Sequence, residues 1–102
     1  MSVNLEKTSR IIDLFEIYGD LLAEKQKTYV QAYYLFDLSL SEIAEEYEIS
    51  RASVLDTLKQ GLKKLEEFEN SLHLLEKRAK IREIIDSNMK KTEILKELER
   101  IL

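Results

Sequence analysis

Arg51, Ser53, Asp56, Thr57, Lys59 and Gln60 are the side chains whose types and spacing suit chemistry in this sequence, and that chemistry is hydrogen bonding to a nucleic acid or a partner. They come after Ser50 at helical spacing, so one helix can present them together to a groove. Arg51, in the first turn, can reach a phosphate or a guanine edge, whereas Asp56 repels phosphates unless it accepts from a cytosine. Lys63 adds a basic group one turn beyond Lys59. Leu55 puts an apolar side chain among them, which suits a protein partner better than a phosphate backbone.

These residues need an element to hold them, and the run from Ser39 to Lys59 supplies one. Ser39 and Glu42 form an S-x-x-E capping box that opens a first helix. Ile43 and the small Ala44 fall where two helices cross closely, and a tight turn comes next at Tyr47 to Ile49. Ser50 caps a second helix with Val54 and Leu58 on its buried stripe. This is a helix-turn-helix over about residues 39–60, a unit that commonly lays its second helix in the DNA major groove. Glu48 occupies its turn; a left-handed Glu costs about 1–2 kcal/mol, so a slightly altered turn is expected.

Charge argues against a strong grip on DNA. The formal charge is −4 overall. Residues 37–60 carry two basic groups (Arg51, Lys59) against six acidic ones (Asp37, Glu42, Glu45, Glu46, Glu48, Asp56), so the deficit sits on the helix-turn-helix itself. Phosphate contacts require the opposite sign.

Around this unit every segment has helical period. The first helix is expected over about Leu5 to Tyr18, with Gly19 ending it in a left-handed conformation. A second helix is expected from about Ala23 to Phe36, with Tyr29, Val30, Tyr33, Tyr34 and Leu35 as a core-facing stripe. The helix opened by Ser50 has no stop before Asn70, and Gly61 inside it signals close backbone packing. Leu62, Leu65, Phe68, Leu72 and Leu75 continue it as a near coiled-coil seam. This helix is expected to pair with a second copy through the seam, making a homodimer with help from the C-terminal helix; the alternative is that the C-terminal helices fold back and cover the seam within one chain. A second stripe runs through Ile81, Ile84, Ile85 and Met89. After a break at Asp86 to Asn88, a last helix from Thr92 to Leu102 carries Ile94, Leu95, Leu98 and Ile101. The expected fold is all-α: a bundle over 1–66 with a long helix and a C-terminal helical extension over 67–102, in one domain.

Composition narrows the function classes. The 102 residues contain no Pro, no Cys and two Gly, with 35% charged, a mixture that favours long helices and rules out disulfides and thiolate chemistry. No apolar run approaches the roughly 20 residues of a membrane span, and no signal peptide opens the chain, so a cytoplasmic protein is expected. His73 is the single histidine, which leaves no His pair for zinc or proton relay. Glu42 and Glu46 share a helix face, but no phosphate loop or nucleophile accompanies them. Lys77, Arg78, Lys80 and Arg82 form the one dense basic cluster, interleaved with Glu76 and Glu83 as on a solvated face. No catalytic, metal or cofactor site is expected.

The segment from Leu22 to Leu65 resembles the fourth region of bacterial sigma factors, which reads the upstream promoter element. The chain is also similar to the YlxM family of helix-turn-helix proteins, from Leu5-Glu-Lys-Thr8 through Leu38-Ser-Leu-Ser-Glu-Ile-Ala-Glu-Glu46 to Glu66-Glu67. That resemblance implies a non-enzymatic regulator associated with the signal-recognition-particle pathway. Ala52 stands where such relatives tend to carry Gln, and Gln60 where they carry Arg. Both departures remove groups that read or grip DNA. A protein or ribonucleoprotein adaptor is therefore the first expectation, and a DNA-binding transcriptional regulator the alternative.

Overall fold

The computed structural model describes residues 5–87 and 90–102. They form six α-helices and no strand: α1 (Leu5–Tyr18), α2 (Glu24–Val30), α3 (Leu40–Tyr47), α4 (Arg51–Leu72), α5 (Leu74–Asp86) and α6 (Lys91–Ile101). None of them is long and apolar enough to cross a membrane. Asn88 of the expected break and Met89 of the second stripe lie outside the described residues.

The central element is α4, packed against α1, α2 and α3. The core gathers Ile11, Leu14 and Tyr18 of α1, Tyr29 and Val30 of α2, Ile43 and Ala44 of α3, and Val54, Leu58 and Leu65 of α4. Gly61 lies where α2 crosses α4. A Cβ there would stand 3.0 Å from Val30 Cγ2 and 3.4 Å from Gln26 Cβ, so the close approach expected at this glycine is real. Gly19 differs from expectation, since it is not left-handed. Instead α1 passes into a 3₁₀ turn over Gly19–Leu21. Its missing side chain leaves room for the Phe15 ring, which lies 3.0 Å from where a Cβ would stand.

The second helix is also not one continuous α-helix. After Val30 it widens into a π turn over Gln31–Leu35, closed by Phe36 N–H donating to Gln31 O at 3.1 Å. The extra residue in that turn rotates the residues after it, so Leu35 and Phe36 reach the surface while Ala32 stays buried. Asp37 then turns left-handed at φ 56° and lets Leu38 N–H donate to Ala32 O at 3.0 Å.

The seam expected for a dimer is largely consumed within the chain. Leu65 is fully buried, and Leu62, Phe68 and Leu75 pack against the same core. The cover is α1: the Tyr18 and Phe68 rings are 5.9 Å apart, and Arg10 forks onto both carboxylate oxygens of Glu66 at 2.8 Å each. Only Leu72 is left well exposed. Nor does α4 run on, because His73 adopts the left-handed conformation at φ 56° and ends it. From there α5 turns to lie against α1, and α6 packs back on α5.

A buried carboxylate builds the α4–α5 corner. Glu69, in the last turn of α4, accepts from Tyr18 Oη at 2.6 Å, Leu75 N–H at 3.0 Å and Glu76 N–H at 3.1 Å. It thereby caps the first turn of α5, whose orphan N–H groups need acceptors. Tyr18 Oη in turn accepts from Leu74 N–H at 3.1 Å. Burial pushes the Glu69 carboxyl up, but the Tyr18 and backbone hydrogen bonds outweigh it and hold the group below its ordinary value. Burial and the same bond to Glu69 push the Tyr18 phenol up. Arg78 of α5 reaches Asp13 at 3.8 Å and Glu16 at 3.5 Å on α1, which fixes the direction of the corner.

Candidate protein or nucleic-acid interface

The helix-turn-helix forms with the caps its sequence encodes. Glu42 N–H donates to Ser39 Oγ and Ser39 N–H to Glu42 Oε1, each at 3.0 Å. These bonds hold the Glu42 carboxyl below its ordinary value. Ser50 Oγ accepts from Ser53 N–H at 3.0 Å and opens α4. Between them Glu48 does take the left-handed conformation, at φ 55° and ψ 45°. Glu48 N–H turns back to Glu45 O at 3.4 Å and Ile49 N–H to Ala44 O at 3.0 Å, the paired bonds of a Schellman turn. The turn is thus regular and not reshaped, with the strain carried at Glu48. Ile49 packs against the core, in which Ile43 and Val54 sit with no exposure.

That packing points the rest of α4 outwards. Arg51, Leu55, Lys59 and Lys63 recur every fourth residue and are all exposed, forming one row along the helix. Ala52, Asp56 and Gln60 form a second exposed row beside it, and Thr57 is half-buried. Three polar members of the face are already engaged. Gln60 Nε2 donates to Asp56 Oδ2 at 3.1 Å, and Ser53 pairs its hydroxyl with Ser50 Oγ at 2.9 Å. Leu55 keeps 39% of its surface exposed. The basic row and the acidic deficit therefore separate in space: Arg51, Lys59 and Lys63 line α4, while Glu42, Glu45, Glu46 and Glu48 are exposed on α3 and its turn.

The remaining candidates sit elsewhere. Within the basic cluster Arg78 is held by α1, and Lys80 pairs with Glu76 at 3.3 Å. His73 is the hinge residue between α4 and α5, with Nδ1 3.3 Å from Glu76. Among the described residues no three acidic or histidine side chains are placed to hold a metal ion. Tyr29 belongs to the core and its ring lies 5.2 Å from that of Tyr47, closing α2 onto the helix-turn-helix. The Glu69 corner was not anticipated from sequence. A glutamate one turn before a helix end has no local signature, because its partners come from α1 and α5.

Comparison with known proteins agrees with this geometry. Residues 5–102 match a family described as "UPF0122: Putative helix-turn-helix protein, YlxM / p13 like". The chain is 52% identical over 75 residues to the UPF0122 protein YlxM of Bacillus subtilis strain 168, covering 74% of this chain and 68% of that one. It is 45% identical over 89 residues to a UPF0122 protein of Streptococcus mutans, covering 87% and 81%. The UPF0122 protein YofM of Lactococcus lactis subsp. lactis is 44% identical over 89 residues, covering 87% and 80%. With nearly its whole described length matched and its helix-turn-helix formed, the chain belongs to the YlxM / p13-like family of helix-turn-helix proteins.

Proposed function

We propose that this protein is a non-enzymatic regulator whose helix-turn-helix docks a protein or ribonucleoprotein partner, in the cytoplasmic setting of the signal-recognition-particle pathway. One observation carries the reading: Glu42, Glu45, Glu46 and Glu48 are all exposed on α3 and its turn, the elements that lead into the presenting helix, and on that helix Gln60 is already bonded to Asp56. In groove-reading units of this kind the first helix crosses the phosphate backbone. Here that helix presents Glu45 and Glu46. The exposed Leu55, flanked by Arg51 and Lys59, fits a mixed apolar and charged protein surface or a protein-bound RNA. The pathway itself rests on family resemblance.

A DNA-binding transcriptional regulator is the second reading, favoured by the row of Arg51, Lys59 and Lys63. A salt-titrated anisotropy assay separates the two. Duplex DNA is expected to bind no tighter than about 1 μM at physiological salt. The signal-recognition-particle protein–RNA complex is expected to bind more tightly and to lose affinity on Leu55→Glu. Nanomolar binding to a defined duplex, with a steep salt slope and loss in Arg51→Ala, would instead establish the DNA reading.

A further inference from the structure

We infer that a pocket between α1 and the entrance to α3 is a docking site for an arginine side chain presented by a partner protein. The pocket measures about 270 Å³ and is lined by Thr8 of α1, Tyr33 and Tyr34 of the π turn, and Asp37, Leu38 and Ser39 of the segment leading into α3. Pockets for whole small molecules begin at about 300 Å³, so this space suits a single side chain. It shares no residue with the exposed face of α4, and the site therefore stands whether or not that face docks a partner.

The lining sets the chemistry of the occupant. The Tyr33 and Tyr34 rings stand 5.0 Å apart at 74°, two walls of a corner. Aromatic faces carry the negative side of the ring quadrupole and attract a cation. Asp37, exposed and turned left-handed at φ 56°, adds a full negative charge. No Lys or Arg is among the described lining residues. From Thr28 to Ser50 the sequence has no basic residue and five acidic ones, Asp37, Glu42, Glu45, Glu46 and Glu48. Arg10, two residues after Thr8, is held by Glu66. Thr8 Oγ1 is buried and has no hydrogen-bond partner among the described residues, so a donor entering here meets an acceptor that is already desolvated. A guanidinium fits this set better than an ammonium. It is planar, stacks on a tyrosine face, is less strongly hydrated, and has five N–H donors to divide between the Asp37 carboxylate and Thr8 Oγ1. The methylene stem of an arginine can pack on half-buried Leu38, which favours a side chain over a free small cation.

The test is an NMR titration of the isotope-labelled full chain with the blocked peptide acetyl-Gly-Arg-Gly-amide at physiological salt. The peptide is expected to bind with a Kd of about 1 mM, the strength of one side chain, and to shift the amides of Thr8, Tyr34, Asp37 and Ser39. The same peptide with citrulline, which keeps the shape and loses the charge, is expected to bind at least about ten-fold more weakly. Methylguanidinium, which lacks the stem, is expected to bind about five-fold more weakly than the arginine peptide. Asp37→Asn keeps a residue that tolerates the left-handed turn and should weaken the arginine peptide about ten-fold. Should that variant unfold, the arginine and citrulline peptides on the wild type decide the question alone. No shift of the pocket amides at about 10 mM arginine peptide overturns the inference, as does equal binding of the citrulline peptide or undiminished binding by a folded Asp37→Asn. Methylguanidinium binding as tightly as the peptide also overturns it, since the site would then belong to a free cation.

Discussion

Replacing Glu69 by Gln probes the corner on which α5 is hung. In the wild type one carboxylate accepts from Tyr18 Oη, Leu75 N–H and Glu76 N–H. Gln keeps an acceptor for Tyr18 and Leu75 at the Oε1 position but turns an NH₂ towards the Glu76 N–H, donor against donor. Hydrogen bonds to a charged group contribute about 1.5–3 kcal/mol and those to a neutral one about 0.5–1.5 kcal/mol. Losing one and weakening two is therefore expected to cost about 2 kcal/mol at neutral pH, discounted for water reaching the corner. Hydrogen exchange reads this locally: the Leu75 and Glu76 amides should exchange about 30-fold faster in Glu69→Gln, while core amides of α4 change less. The pH dependence has a definite sign. The folded-state carboxyl is held below its ordinary value, so its contribution is complete above the unfolded value of about 4.3 and is lost as pH falls through the folded one. The stability gap between wild type and variant in urea melts should therefore narrow as pH falls from 7 through the carboxylate range. Variant amides that exchange at the wild-type rate, or a stability gap constant across that range, would refute the account of the corner.

Other substitutions test other parts of the fold. Glu48→Gly removes the left-handed strain, and after the entropy of an added glycine it should raise stability by about 0.5–1 kcal/mol in thermal melts. Gly61→Leu should lower stability by about 1–3 kcal/mol, because even a Cβ meets Val30 at 3.0 Å. Leu65→Ala should cost about 2–5 kcal/mol in a urea melt as a core cavity, so its main effect is on folding and not on association.

The local grammar of this chain was legible from residue order alone. Ser39 with Glu42, and Ser50 with Ser53, form their caps where the spacing put them, because capping bonds span three residues and need no distant partner. The all-α class, the α3–turn–α4 unit and the close approach at Gly61 derive from periodicity and residue size in the same way. At the candidate interface, the exposure of Arg51, Leu55, Asp56, Lys59, Gln60 and Lys63 results from one helix with Val54 and Leu58 turned inward.

Tertiary structure decided the features that depended on competition between segments. The periodicity of Leu62, Leu65, Phe68 and Leu75 marks an apolar seam but cannot say which helix covers it, and α1 takes that place through Tyr18 and the Arg10–Glu66 pair. A π turn after Val30 moved Leu35 off the expected stripe, because one added residue in a turn rotates every residue beyond it. The bond between Gln60 and Asp56 withdraws two polar groups that the sequence offers freely. The corner at His73 exists because Glu69 meets Tyr18, 51 residues away, and the first amides of α5. Helical period reports how each segment is striped; which stripes meet is settled by the packing of all six helices at once.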